Sequence, residues 1–94
     1  MKTWQTIITG SQNAAQRLLI GSYIMPMQEV ALLCRNTDGD WETTSPVLNT
    51  NQQYLASADV SEKDAKALVE AQVYRHYTNQ KAMYTELCNT LCLS

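Results

Sequence analysis

The chain has 94 residues, enough for one domain with a single modest core. Charged residues make up 17% of it, below the usual share of about a quarter, and the net charge of −2 offers no basic surface for nucleic acid or an anionic membrane. Its three cysteines do not form the even framework of a secreted disulfide scaffold, and no apolar stretch has the length of a signal peptide or a membrane span. We therefore expect a single cytoplasmic domain over residues 1–94.

The N-terminal residues favour a helix. Between Lys2 and Ser22, apolar residues keep helical phase at Trp4, Ile7, Ile8, Ala14, Ala15, Leu18 and Leu19. Gly10 weakens this helix by about 1 kcal/mol relative to alanine, and the sequence TWQTIIT is rich in β-forming residues. A leading strand over residues 2–9 therefore remains an alternative, in which the helix begins near Ser11.

A β-hairpin is predicted next. The segments EVALLCR and WETTS alternate side chains between two faces, and the Asp-Gly pair between them supplies the positive φ angle that tight hairpin turns require. A third extended segment, QQYLASA at 52–58, can pair with the second strand. The sequence therefore predicts a three-stranded antiparallel meander.

Three acidic residues surround the hairpin turn: Asp38, Asp40 and Glu42. A calcium loop of the EF-hand type requires an oxygen ligand at its first position and a glutamate at its twelfth. If Gly39 is the sixth position, these two places fall on Cys34 and Ser45. The acidic residues are therefore interpreted as a solvated turn and not as a metal site.

The last third of the chain predicts one long helix. Ser61 and Asp64 resemble a capping box, and one stripe of the helix contains Ala65, Val69, Val73, His76, Met83, Tyr84, Leu87 and Leu91. At 1.5 Å per residue the helix spans about 45 Å, more than a three-stranded sheet can cover. The fold class is thus α+β: an N-terminal helix, the meander, and a C-terminal helix packed on the sheet. Part of the stripe must pack on the first helix or on another molecule, and a homodimer through this helix is one expectation.

The opposite face of the long helix is small and weakly polar, with Ala67, Ala71, Tyr74, Thr78, Ala82 and Thr85. We expect this face to bind a protein partner, with Tyr74 and Arg75 as anchors beside Ala71 and Thr78, because tyrosine and arginine are enriched at binding hot spots. The alternative is that the face reflects only the helix propensity of alanine. The hairpin tip, with Asp38, Asp40 and Glu42, is a second candidate surface that would steer association through its charge.

Metal and catalytic chemistry have little support. His76, the single histidine, lies within the apolar stripe, so a buried and hydrogen-bonded role is favoured over catalysis. Cys88 and Cys92 are four residues apart and could supply two zinc ligands, but a complete site would also need Cys34. A small zinc-binding domain is therefore kept as an alternative. The main expectation is a protein with no metal, no cofactor and no catalytic residue.

No phosphate-binding loop or nucleophile motif is present in the sequence, so we expect a protein that is not an enzyme. The predicted function is a protein-binding module that acts stoichiometrically as an inhibitor or adaptor of a larger intracellular complex, such as a nucleoprotein. In size, charge and predicted element order the chain is similar to phage and plasmid products such as anti-CRISPR proteins, although this comparison is one of architecture only. The alternative is an accessory protein that binds single-stranded nucleic acid through the Tyr74–Tyr84 region, where tyrosines alternate with Arg75, His76 and Lys81.

Overall fold

The computed structural model describes residues 1–8 and 14–93. The described residues form five strands and one helix: β1 (Lys2–Ile8), β2 (Ala14–Ile20), β3 (Gln28–Arg35), β4 (Trp41–Ser45), β5 (Thr50–Ala56) and α1 (Glu62–Leu93). The strands pair antiparallel in sequence order, which makes a meander, and α1 packs on one face of the sheet. The α+β class is confirmed.

The predicted N-terminal helix is wrong. β1 and β2 form an antiparallel hairpin whose register runs from Lys2 opposite Ile20 to Ile8 opposite Ala14. The strand alternative for residues 2–9 is correct over β1, but the helix expected from Ser11 is replaced by β2; Gly10 and Ser11 themselves lie outside the described residues. The helical spacing of apolar residues gave a wrong prediction because the same residues also suit the two faces of paired strands. Pairing with a neighbouring strand outweighs a weak intrinsic helix propensity.

The central hairpin is confirmed. β4 coincides with WETTS and β3 contains the whole of EVALLCR. Gly39 has φ of 85°, as an Asp-Gly turn requires, and the amide of Asn36 donates to the carbonyl of Asp40 at 2.9 Å. The third predicted strand is β5, which begins and ends two residues earlier than expected. The predicted three-stranded meander is therefore part of a larger, five-stranded one.

The core lies between the sheet and the first turns of α1. Its buried members are Leu18, Val30, Ala31, Leu33, Trp41, Ala56, Ala65, Val69 and Val73. Two hydroxyl groups are buried with them, and each donates across the sheet: Thr43 Oγ1 to the carbonyl of Leu32 at 3.0 Å and Ser45 Oγ to that of Val30 at 2.6 Å. Because a buried hydroxyl without a partner is costly, these bonds hold β4 in register with β3.

The long helix begins where its sequence predicts. The backbone amide of Asp64 donates to Ser61 Oγ at 3.2 Å, and the indole of Trp41 donates to the carbonyl of Val60 at 2.7 Å, which ties the segment before the helix to the core. The helix runs without interruption for 32 residues, as predicted. Among its described residues, the last that is buried is Val73. The remainder of α1 extends beyond the sheet and gives the molecule its 55 Å length against widths of 26 and 21 Å.

None of the helical segments in the described part of the chain has both the length and the apolar character needed to cross a lipid bilayer.

Replacing Leu33 with alanine should lower the free energy of unfolding by about 2 to 5 kcal/mol, because this fully buried side chain would leave a cavity between the sheet and α1. Leu68→Ala is the matched control, since Leu68 is 43% exposed and its loss should cost about 0.5 kcal/mol or less. Urea denaturation followed by tryptophan fluorescence measures both. Equal losses for the two variants would contradict the position of the core.

Candidate protein-binding surface

Two adjoining clefts open where α1 leaves the sheet. The first, about 460 Å³, lies between α1 and the strands β1 and β2, and its apolar lining includes Leu18, Ile20, Ala71, Val73, Tyr74 and Tyr77. The second, about 360 Å³, lies under the β2–β3 loop and is lined by Met1, Ile20, Gly21, Met25, Pro26 and Tyr77 among others. Because Ile20 and Tyr77 line both, the two clefts form one depression, which we call the apolar groove.

The β2–β3 loop, residues 21–27, forms one wall of the apolar groove. Its base is fixed by Met1 and Gly21: the terminal amino group of Met1 donates to the carbonyl of Gly21 at 2.8 Å, and the amide of Gly21 donates back at 3.0 Å. Its tip is a turn in which the amide of Ser22 donates to the carbonyl of Met25 at 3.0 Å. The loop is thus held by main-chain hydrogen bonds on both sides, while Tyr23 and Ile24 at its tip are 108% and 91% exposed.

Gly21 is needed for this loop geometry. A β-carbon at Gly21 would lie 2.6 Å from the sulfur of Met27 and 3.1 Å from its backbone nitrogen and Cα. The sulfur can move, but the backbone at the start of β3 is held by the sheet. A glycine therefore lets the two arms of the loop approach closely enough to present the tip.

The helical wall of the groove contains part of the face predicted from sequence. Tyr74 and Ala71 are exposed and line the groove, and Tyr74 keeps 74% of its surface free. Thr78 and Arg75 are also exposed, but neither is among the residues that line the groove, and the hydroxyl of Thr78 donates to the carbonyl of Tyr74 at 2.8 Å within the helix. Tyr77, which was predicted only within the nucleic-acid alternative and not for the protein-binding face, lines both clefts.

An ion pair closes the β1 side of the groove. The Lys2 ammonium group contacts the Glu70 carboxylate, whose other oxygen accepts a hydrogen bond from the Trp4 indole at 2.8 Å. Partial burial of Glu70 raises the pKa of its carboxyl, but the hydrogen bonds from Lys2 and Trp4 and the charges of Lys2 and Lys66 outweigh burial and hold this pKa below its usual value. Glu70 is therefore a fixed anion at the polar margin of an otherwise apolar surface.

The acidic residues of the hairpin tip form hydrogen bonds within the fold that their sequence did not predict. The Asp40 carboxylate accepts from the amide of Ala58 at 2.9 Å, and the Glu42 carboxylate accepts from the Asn36 side chain at 3.2 Å. The Asn36 side-chain oxygen in turn accepts from the amides of Asp38 and Asp40. Asp40 and Glu42 are partly buried, and Asp38 is the exposed carboxylate of the three.

The two surfaces predicted from sequence lie at opposite ends of the sheet. In a meander, consecutive connections lie at opposite ends of the strands, so the β3–β4 turn with its acidic residues is at the end away from the β2–β3 loop. The strands between them have seven or eight residues, which corresponds to about 25 Å at 3.3 Å per residue. The structure therefore does not combine the Tyr74 face and the acidic tip into one compact site.

The histidine and cysteine residues are dispersed. His76 is half-buried and meets the ring of Tyr77 edge-on, at 5.5 Å between centroids, so the expected full burial is not realised. Cys34 lies on β3, and its pKa is raised by burial and by the charge of Glu42. Cys88 and Cys92 are exposed on the distal part of α1. Within residues 1–8 and 14–93, no three histidine, cysteine or acidic side chains are grouped as a metal site would require.

The tyrosines of the nucleic-acid alternative are all exposed: Tyr74 by 74%, Tyr77 by 38% and Tyr84 by 56%. At 100° per residue they lie within about 80° of one another around α1, between the apolar stripe and the opposite face, and Lys81 lies among them. The nearby cations of the helix are Arg75 and Lys81, few for a surface that must follow a phosphate backbone.

Comparison with protein-family models, with curated protein sequences and with solved structures gave no significant match. Function is therefore inferred from the residues of this chain alone. The β2–β3 loop was not predicted as a binding site, although its sequence contains a signal. Large apolar residues follow Gly21 and flank Pro26, and the glycine and proline of this stretch predict a turn.

Glu70→Gln should reduce stability by no more than about 1 kcal/mol near neutral pH, because the Lys2 side chain of the ion pair is 65% exposed and water screens its charge. A carboxylate whose pKa is lowered by folding stabilises the protein above its unfolded pKa, and this contribution is lost as pH falls through the folded pKa. The difference between parent and variant should therefore disappear in acid. Urea denaturation at a series of pH values measures it.

Glu86→Gln is the control for this pH series, since Glu86 forms no ion pair in the described part of the chain. Its stability should follow that of the parent at every pH. If Glu70→Gln also follows the parent throughout, the proposed role of the Lys2–Glu70–Trp4 contacts is wrong.

Proposed function

We propose that this protein is a non-enzymatic protein-binding module that acts stoichiometrically, as an inhibitor or adaptor of a larger complex. The observation that supports this function is the apolar groove together with the β2–β3 loop, a surface where large apolar side chains remain in contact with water. Contiguous exposed apolar patches on small proteins are typical of interaction sites. The proposed partner is a protein that presents a complementary apolar segment.

The composition of this surface supports a protein partner. Tyrosine and methionine are enriched in interface cores, and the groove and loop contain Tyr23, Met25, Tyr74 and Tyr77. The margin is polar, with the Lys2–Glu70 ion pair on one side. An apolar centre with a polar margin is the arrangement that excludes water from hot-spot residues.

The loop gives the surface an anchor that is already formed. Tyr23 and Ile24 lie at the tip of a turn held by main-chain hydrogen bonds, so binding them orders little additional backbone. Lower ordering cost leaves more of the contact free energy as affinity. In this proposal the loop tip inserts into the partner while Tyr74 and Tyr77 receive a partner side chain in the groove.

The acidic tip is not part of the proposed interface, because it lies at the far end of the sheet and two of its carboxylates bond within the hairpin. The similarity to anti-CRISPR proteins included an N-terminal helix that is absent from the described structure. The proposal of a stoichiometric inhibitor therefore depends on the apolar surface.

Single-stranded nucleic acid remains the second candidate, supported by the three exposed tyrosines on one side of α1. Stacking on such rings is sequence-tolerant, and its affinity must fall steeply with salt if phosphates contribute. Fluorescence anisotropy with a labelled oligonucleotide tests it. Tight binding that is lost at moderate salt and with Tyr84→Ala would favour this function over protein binding.

Affinity capture from a lysate of the source cell, followed by binding kinetics on the captured protein, tests the proposed function. Tyr74→Ala and Ile24→Ala should each speed dissociation about 10- to 100-fold, as expected of hot-spot residues. Tyr54→Ala is the matched control, because Tyr54 is a 61% exposed tyrosine on β5, away from the groove. It should dissociate like the parent.

Two outcomes would contradict the proposed interface. One is that Tyr54→Ala weakens binding as much as Tyr74→Ala. The other is that both groove variants, with unchanged thermal stability, bind like the parent.

A further inference from the structure

The apolar stripe of α1 continues past the sheet. Up to Val73 it is buried, but beyond that point Met83, Tyr84 and Leu87 are 48 to 56% exposed and Leu91 is 75% exposed. Together with the half-buried Gln80, these residues recur at intervals of three and four, the spacing of a helix-pairing seam. We call Gln80, Met83, Tyr84, Leu87 and Leu91 the distal stripe.

This part of α1 lacks the composition of a helix that is stable alone. Helices outside a packed environment are marginal in water unless they are long and rich in alanine. Residues 78–90 include Thr78, Asn79, Asn89 and Thr90, all of modest helix propensity. Every residue of this segment is exposed except Gln80, which is half-buried. Its helicity is therefore expected to depend on contacts made by the distal stripe.

We propose that the distal stripe is the dimer interface of this protein, formed by the α1 helices of two copies packed antiparallel. The two-fold axis passes between Thr85 and Glu86. Tyr84 of one protomer then lies against the partner's Leu87, Gln80 lies against the partner's Leu91, and each contact occurs twice. The interface is isologous, as in most homodimers.

The charges of the segment are compatible with this register. Lys81 flanks the distal stripe and lies beside the partner's Cys88, while Glu86 is on the outer side of the pair. Like charges therefore do not face one another. The antiparallel direction also places the two sheets at opposite ends of the helix pair. A parallel pair would instead place the two sheets side by side at the same end, where each sheet already packs on its own α1.

The exposed area is sufficient for a weak, specific dimer. Four apolar side chains that are 48 to 75% exposed, each with about 200 Å² of surface when free, offer about 450 Å² per copy. Pairing two copies, with Gln80 and Cys88 at the margin, would bury about 1,000 Å² in total, which is the lower limit for biological interfaces. Because interfaces of this size are typical of weak, transient complexes, we expect a dissociation constant of about micromolar order.

Sedimentation velocity of the full chain across the micromolar range tests the proposal. The parent should convert from monomer to dimer, and Leu87→Glu should raise the dissociation constant about 100-fold or more, because it places two unpaired carboxylates at the interface. Asn89→Glu is the matched control: it adds the same charge to the same turn on the opposite face and should dimerise like the parent. Tryptophan fluorescence confirms that the sheet is folded in each variant.

Cysteine cross-linking tests the direction of packing in a chain with Cys88→Ser and Cys92→Ser. Chains with Gln80→Cys should form a disulfide-linked dimer when mixed with chains with Leu91→Cys. Chains with Gln80→Cys alone should not form this disulfide, because the two Gln80 positions are separated by about 16 Å along the antiparallel pair. Linkage of Gln80→Cys chains to one another would indicate a parallel pair and overturn the register.

Three results would overturn the dimer. These are a parent that remains monomeric throughout the range, a trimer or larger assembly, and equal loss of dimer in Leu87→Glu and Asn89→Glu. If the parent is monomeric but Leu87→Glu abolishes binding of a captured protein, the occupant of the distal stripe is that protein. The distal stripe does not share residues with the apolar groove, so this test is independent of the proposed function.

Discussion

The length of α1 relative to the sheet is the constraint from which the other features follow. The helix has 32 residues, about nine turns, but the sheet buries it through Ala65, Val69 and Val73, which span little more than two turns. These small side chains allow a close approach between helix and sheet, and Trp41 and Leu33 fill the space beneath them. Beyond Val73 the sheet no longer buries the helix, so α1 extends past the sheet while its stripe is still apolar.

The point of departure creates the apolar groove. At that end of the sheet β2 finishes, its loop turns outward, and Tyr74 and Tyr77 stand on the first turn of α1 that the sheet does not cover. Met1 and Gly21 are paired by main-chain hydrogen bonds, which hold the base of the opposite wall. One geometric mismatch thus generates two separate apolar surfaces: the groove next to the sheet and the distal stripe farther along the helix.

The part of the fold that could be predicted from the sequence depended on the kind of signal. Asp-Gly at the hairpin and Ser61 at the helix start act locally, and both elements were confirmed. The spacing of apolar residues could not predict the β1–β2 hairpin, because this hairpin is stabilised by the pairing of β2 with β3, which lies farther along the chain. Of the candidate site, Tyr74 and Ala71 were anticipated. Ile24 was not, and Tyr77 was anticipated only for nucleic-acid binding, because only the fold shows which apolar residues remain uncovered.

We propose that the sheet stabilises only the first turns of α1, and that the distal part gains its stability from a second molecule. Amide hydrogen exchange along the helix at two protein concentrations tests it most directly. We predict slow exchange over residues 65–73 at both concentrations, but slow exchange over residues 80–91 only at the higher one, where the dimer forms. Equal protection of residues 80–91 in the dilute monomer would show that the distal helix is stable without a second molecule.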